Sequence, residues 1–134
     1  MKTPSDPADV FLAKAREDIY LAKKVKDDVN VSVEQMGFLC EQAIEKSFKS
    51  VLTHHNVRFR RGHDMAAYLD LLQAANIAYP AELERSIELT PFGAELRYDY
   101  LPKEELEATP FDREATIQLA DQAIEWAATI VSRT

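Results

Sequence analysis

The chain has 134 residues, 46% of them hydrophobic, and a formal net charge of −7. That is enough apolar material for one core and too little chain for two domains, and the acidic balance excludes a general coat for duplex DNA while leaving room for a local basic site. A single cysteine, Cys40, excludes a disulfide framework and a cysteine zinc pattern, and no stretch approaches the ~18 apolar residues of a membrane span, so the expected setting is cytoplasmic.

Residues 1–7 read as a polar, proline-containing leader and 8–134 as one helical domain. Phe11, Ala15, Ile19, Ala22 and Val25 recur at helical spacing, which predicts a first helix over about 8–28, capped by Asp6 and opened by Pro7. Ser32 with Gln35 three residues on has the form of a capping box. The second helix follows it, with Met36, Leu39, Cys40, Ala43, Ile44, Ser47, Phe48, Val51 and Leu52 forming a stripe so broad that more than one neighbour must cover it. Glu45 and Lys49 make an i, i+4 pair placed on its wet side.

A third helix is expected from about Asp64 to Ala75, with Ala67, Tyr68, Leu71, Leu72 and Ala75 facing inward. A fourth segment starts at Pro80, turns Leu83 and Ile87 inward, and is split by Pro91 and Gly93. After an irregular link over 99–108, Thr109 caps a last helix whose inner face runs from Ala115 through Leu119, Ala120, Ala123, Ile124 and Ala127 to Ile130 and Val131. No run of alternating β-branched residues competes with these elements. The expected fold is all-α: an up-and-down four-helix bundle with an additional short or kinked helix.

The chemistry is concentrated in one place. All three histidines and three of the eight arginines fall between His54 and His63, with no acid among them. The stretch admits two readings. Histidines are favoured at a helix C-terminus and arginines are ordinary surface charge. Guanidinium groups also suit phosphate geometry, Gly62 permits close backbone approach, and amides at the start of the third helix can receive an anion. The histidine spacing matches no zinc motif, so no metal and no cofactor is expected. A second cluster, Arg97-Tyr-Asp-Tyr100, either seals the end of the bundle or turns Arg97 and the two tyrosines toward the same groove. Trp126 reads as a core or interface aromatic, and Cys40 as a small hydrophobe.

Phe38-Leu-Cys-Glu-Gln-Ala-Ile-Glu-Lys-Ser-Phe-Lys-Ser with a following His63-Asp-Met, and the late Leu96-Arg-Tyr-Asp-Tyr, resemble the HEPN domain family over about Phe11 to Val131. In the late motif Asp99 stands where the family usually has proline. The resemblance implies a helical bundle that forms a homodimer and is often encoded beside a minimal nucleotidyltransferase, in some cases as a toxin and antitoxin pair. Some relatives bind nucleotides. Others are metal-independent ribonucleases that build one site across the dimer with an Arg-x4-6-His motif near the start of the last long helix. Here no histidine follows Arg97 or Arg113, and Arg58 to His63 has the spacing but lies between the second and third helices.

The expectation is therefore a binding module for a nucleotide or single-stranded RNA. Arg58, Arg60, Arg61 and His63 are its first contacts, Arg97 a further one, and Lys46 and Lys49 supply charge if the wet face of the second helix borders the groove. Tyr98 and Tyr100 are stacking groups or acceptors of a modification, since relatives are modified on a tyrosine near their active site. The alternatives are a ribonuclease using Arg58 and His63, and a purely structural helical dimer.

Overall fold

The computed structural model describes residues 6–60, 62, 64–93 and 111–132, and every regular element among them is helical. α1 spans Pro7–Val25, α2 Val33–His54 and α3 Met65–Ala74; a 3-10 helix over Ala81–Leu89 runs directly into a short α4, Thr90–Gly93, and α5 spans Arg113–Val131. Asp6 accepts the Ala8 amide at 3.0 Å and Ser32 the Gln35 amide at 3.1 Å, so the caps of α1 and α2 are those expected from the sequence.

α2 is the central element and touches every other one. α1 lies antiparallel to it, with the Ser50 hydroxyl donating to the Ala8 carbonyl at 2.7 Å inside the interface. α5 runs parallel to α2: Arg113 at its start binds the backbone before α2, and further along Trp126 packs edge-on against Phe48 with ring centroids 5.9 Å apart. This is the up-and-down order expected, and alanines let the three long helices approach closely. Ala15 and Ala22 of α1, Ala43 of α2 and Ala120, Ala123 and Ala127 of α5 are all fully buried.

α2 and α3 end in the same way. Asn56 and Asn76 both adopt a left-handed φ of 58°. Behind each, an apolar residue closes the turn, Val57 N–H donating to Leu52 O at 2.8 Å and Ile77 N–H to Leu72 O at 2.9 Å. These are Schellman caps in which asparagine replaces glycine.

Three sequence expectations are corrected. α3 buries Met65, Tyr68, Leu69 and Leu72, whereas Ala67 and Ala75 are exposed and Leu71 is half-buried, so its core face is rotated from the one expected. The segment after Pro80 is a 3-10 helix, and its three-residue period buries Leu83, Ser86 and Leu89 while turning Ile87 out to 45% exposure. Pro91 has no N–H to continue an α-helical ladder, and Thr90 N–H bonds back to Ile87 O instead. The cap of α5 is Asp112, which accepts the Ala115 amide at 3.1 Å, and Thr109 lies outside the described residues.

The short α4 is held by a close approach. A Cβ on Gly37 of α2 would stand 2.2 Å from the Phe92 ring, which also packs edge-on with Phe111 at 5.4 Å. Gly37→Ala adds helix propensity worth ~1 kcal/mol but must displace that ring, and a net loss of about 2 kcal/mol is expected in denaturant unfolding. Combined with Phe92→Ala, it should cost less than the sum of the two single changes. Asn76→Ala should cost about 1 kcal/mol and Asn76→Gly nothing, because only the former forces a Cβ residue without a compensating side chain into the left-handed region.

Candidate functional site

Beyond the Asn56 turn, Arg58, Phe59, Arg60, Gly62 and Asp64 line, together with α3, a cleft of about 790 Å³. Phe59 and Tyr68 form its aromatic floor, their rings 6.1 Å apart and edge-on. Ala67, Leu71 and Ala74 supply one wall, Arg58, Arg60 and Gly62 the other, and Asp64 and Asp70 complete the rim. Arg58 and Arg60 are exposed and make no ion pair among the described residues. Part of the α3 stripe expected in the core, Ala67 and Leu71, is thus the wall of this cleft.

A buried polar cluster fixes the floor. Glu41 and Glu45 of α2 lie one turn apart at 0% and 1% exposure. Gln42 Nε2 donates to both, at 2.8 Å to Glu41 Oε2 and 2.9 Å to Glu45 Oε2. The Tyr68 hydroxyl stands 3.0 Å from Glu45 Oε1 and 2.8 Å from the Gly62 carbonyl oxygen, both acceptors for its one proton. Lys49 Nζ pairs with Glu45 Oε1 at 3.2 Å and lies 6.0 Å from the centroid of Phe11 and 5.9 Å from that of Phe59. α2 and α3 therefore meet at the Glu45 carboxylate, and the loop and α1 close over the Tyr68 and Lys49 side chains that bind it.

The electrostatics follow from burial. Desolvation, reinforced by the neighbouring Glu45 charge, pushes the Glu41 carboxyl up to about 9. Tyr68 is driven upward by burial and then by Glu45 and Glu41, so it stays a neutral hydrogen-bond donor. Burial also lifts the Cys40 thiol to about 12, leaving it an inert apolar group, as its place in the stripe suggested.

The remaining sequence candidates divide sharply. Glu45 and Lys49, expected on the wet side of α2, are instead a buried acid and a half-buried lysine covered by two aromatic rings, because α1, α3 and the loop close over that face. Lys46 is turned toward α1, where it pairs with Asp18, and neither lysine lines the cleft. The amides at the start of α3 are already used: Met65 N–H by Thr90 Oγ1 at 3.2 Å, Ala66 N–H by Asp64 Oδ1 at 3.0 Å, and Ala67 N–H by the Asp64 carbonyl. The start of α3 therefore offers an anion no free amide. Arg61, His63, Arg97, Tyr98 and Tyr100 lie outside the described residues. His54 and His55 stack edge-on at 5.3 Å at the end of α2, outside the cleft lining.

A second cavity, about 500 Å³ between Lys26 and Glu114, is built from groups committed to structure. Lys26 pairs with Glu114 at 2.6 Å, and the Arg113 guanidinium donates to the Lys26, Asp28 and Val31 carbonyls. Sequence reasoning missed Glu41, Tyr68 and Asp70 as parts of the site. The available signal was two acids four residues apart, with Glu41 directly beside the broad apolar stripe of α2.

The family model described as HEPN domain matches residues 8–132 of the chain. No curated protein and no solved structure matches it.

Because Glu41 binds its proton more tightly when folded than its ordinary value of 4.5 allows, stability contributed by the neutral acid falls as pH rises from that value toward about 9. Glu41→Gln keeps a neutral hydrogen-bonding group of the same shape. Thermal unfolding followed by circular dichroism should show the wild-type midpoint dropping more steeply between pH 5 and pH 9 than that of the variant; parallel profiles would mean Glu41 is ionised in the fold.

Proposed function

The chain belongs to the HEPN domain family, and from that membership and the shape of its cleft we propose that it is a binding module for a nucleotide or short single-stranded RNA. The observation that carries this reading is the cleft itself, about 790 Å³ with an aromatic and aliphatic interior and two exposed arginines on its rim, in a chain of net charge −7. That volume falls within the usual range for small-molecule sites. Arg58 and Arg60 hold phosphate through charge-assisted hydrogen bonds, and the apolar walls accept the base. Arg61, His63 and Arg97 are further candidate contacts on the sequence alone.

The family also supplies the context we propose. The chain acts as a homodimer in the cytoplasm and as the partner of a minimal nucleotidyltransferase, in the manner of a toxin and antitoxin pair, with Tyr98 or Tyr100 as the acceptor if that enzyme modifies it. No helix among the described residues is long and apolar enough to cross a membrane. We do not assign it nuclease activity. The family's Arg-x4-6-His motif is absent from the start of the last helix, where Arg113 instead binds three backbone carbonyls.

Calorimetric titration with ATP and with a short single-stranded RNA tests this. Saturable binding is expected, and replacing Arg58 and Arg60 together by alanine should weaken it at least tenfold, since a hydrogen bond to a charged group is worth about 1.5–3 kcal/mol. Unchanged affinity in the double variant would move the site elsewhere. Cleavage of the RNA in EDTA would replace the binding module with an enzyme.

A further inference from the structure

The cleft carries charge of both signs, and its carboxylates are not equivalent. Asp64 Oδ1 is occupied by the Ala66 amide, so this side chain is the cap of α3. Asp70 is exposed on the same helix and has no hydrogen bond or ion pair among the described residues. Ala67, Asp70, Leu71 and Ala74 follow one face of α3, so this carboxylate interrupts an otherwise aliphatic wall. Six residues of helix separate it from Asp64, or about 9 Å along the axis. Arg60 and Gly62 immediately precede the start of α3, where Gly62 is fixed by the Tyr68 hydroxyl. The cleft thus combines two cationic groups, an apolar interior and an acceptor-only group partway along α3.

Such an arrangement suits a mononucleotide, with phosphate at the arginines, base between the walls and base edge at Asp70. An ionised carboxylate offers acceptors only. Among the four common bases, only guanine presents two adjacent N–H donors on its Watson–Crick edge, from N1 and the exocyclic amine. Adenine and cytosine place a ring acceptor beside their amine, and uracil flanks its one N–H with two carbonyls; each would set a lone pair against the carboxylate. Resting on the nucleotide-binding reading above, we propose that Asp70 makes this cleft selective for a guanine base.

The test is titration of the full chain with the 5′-monophosphates of guanosine, adenosine, cytidine and uridine, followed by the same series on Asp70→Asn. Wild type should bind the guanosine nucleotide about tenfold or more tightly than the others, the discrimination expected of one bidentate contact. The variant should lose that preference and shift toward adenosine, because an amide presents one donor and one acceptor and so matches the adenine edge. The Asp70 side chain makes no hydrogen bond or ion pair among the described residues, so the thermal midpoint of the variant should match wild type. Binding that depends on Arg58 and Arg60 but shows equal affinity for the four nucleotides, or a guanosine preference that survives in Asp70→Asn, overturns the assignment of Asp70 while leaving the cleft intact. Absence of binding to every nucleotide overturns both.

Discussion

Two carboxylates buried on the helix that every other element touches are the constraint around which this protein is organised. A charge removed from water is costly unless it is paired and hydrogen-bonded, and Glu45 meets that cost by recruiting a partner from each direction. Tyr68 comes from α3, Lys49 and Gln42 from α2, and Phe11 of α1 and Phe59 of the loop cover Lys49. Glu41 takes the other solution and retains its proton. An apolar pair of similar volume would be easier to bury, but it would not specify where Tyr68 and Gly62 stand. Here the cleft floor is a consequence of satisfying one acid.

The rest of the bundle holds α2 in register with those groups. Small residues set the spacing of α1, α2 and α5, and two serines spend their hydroxyls on backbone, Ser47 on Ala43 O at 2.8 Å and Ser50 on Ala8 O at 2.7 Å, so that they can be buried without penalty. At the opposite end from the cleft, Arg113 gathers three carbonyls from the α1–α2 connection and thereby anchors the first turn of α5. That arginine has a structural task, and its place near the start of the last helix is not by itself a mark of catalysis.

How much of this was legible in the sequence depends on the range of the interaction. The caps at Asp6 and Ser32 and the heavy apolar stripes of α1, α2 and α5 are local and strong, and they were read correctly. The Schellman turns left a local signal too, Asn56-Val57 and Asn76-Ile77 at the ends of periodic runs, which was overlooked. The 3-10 segment was misread because Leu83 and Ile87 fit an α-helical period; the burial of Ser86, a polar residue, is what distinguishes a period of three. The face of α3 was misread for a different reason. Its sequence is apolar on two sides, one for the core and one for the cleft, and periodicity cannot say which side meets solvent. Glu45 was placed on the wet face because an i, i+4 acid–base pair is usually exposed, and only tertiary packing brings α1 and the loop across it. The basic stretch, by contrast, was found by composition alone, and two of its arginines do line the cleft.

The charge distribution also constrains how such a cleft can work. Among the described residues, five of the chain's sixteen lysines and arginines are committed: Lys23 to Asp121, Lys26 to Glu114, Lys46 to Asp18, Lys49 to Glu45, and Arg113 to backbone. What long-range field remains is that of a chain with net charge −7, which repels an approaching anion and is screened by physiological salt beyond ~8 Å. Steering therefore cannot supply affinity here, as it does in a basic nucleic-acid-binding protein. Recognition must come from short-range geometry, two guanidinium groups and an apolar slot. Added salt would weaken those contacts but also screen the repulsion, so binding should depend on salt less steeply than its number of phosphate contacts implies. On the proposed reading, such a cleft favours a small anionic ligand with a base to bury over a long polyanion, whose remaining phosphates would meet the acidic surface.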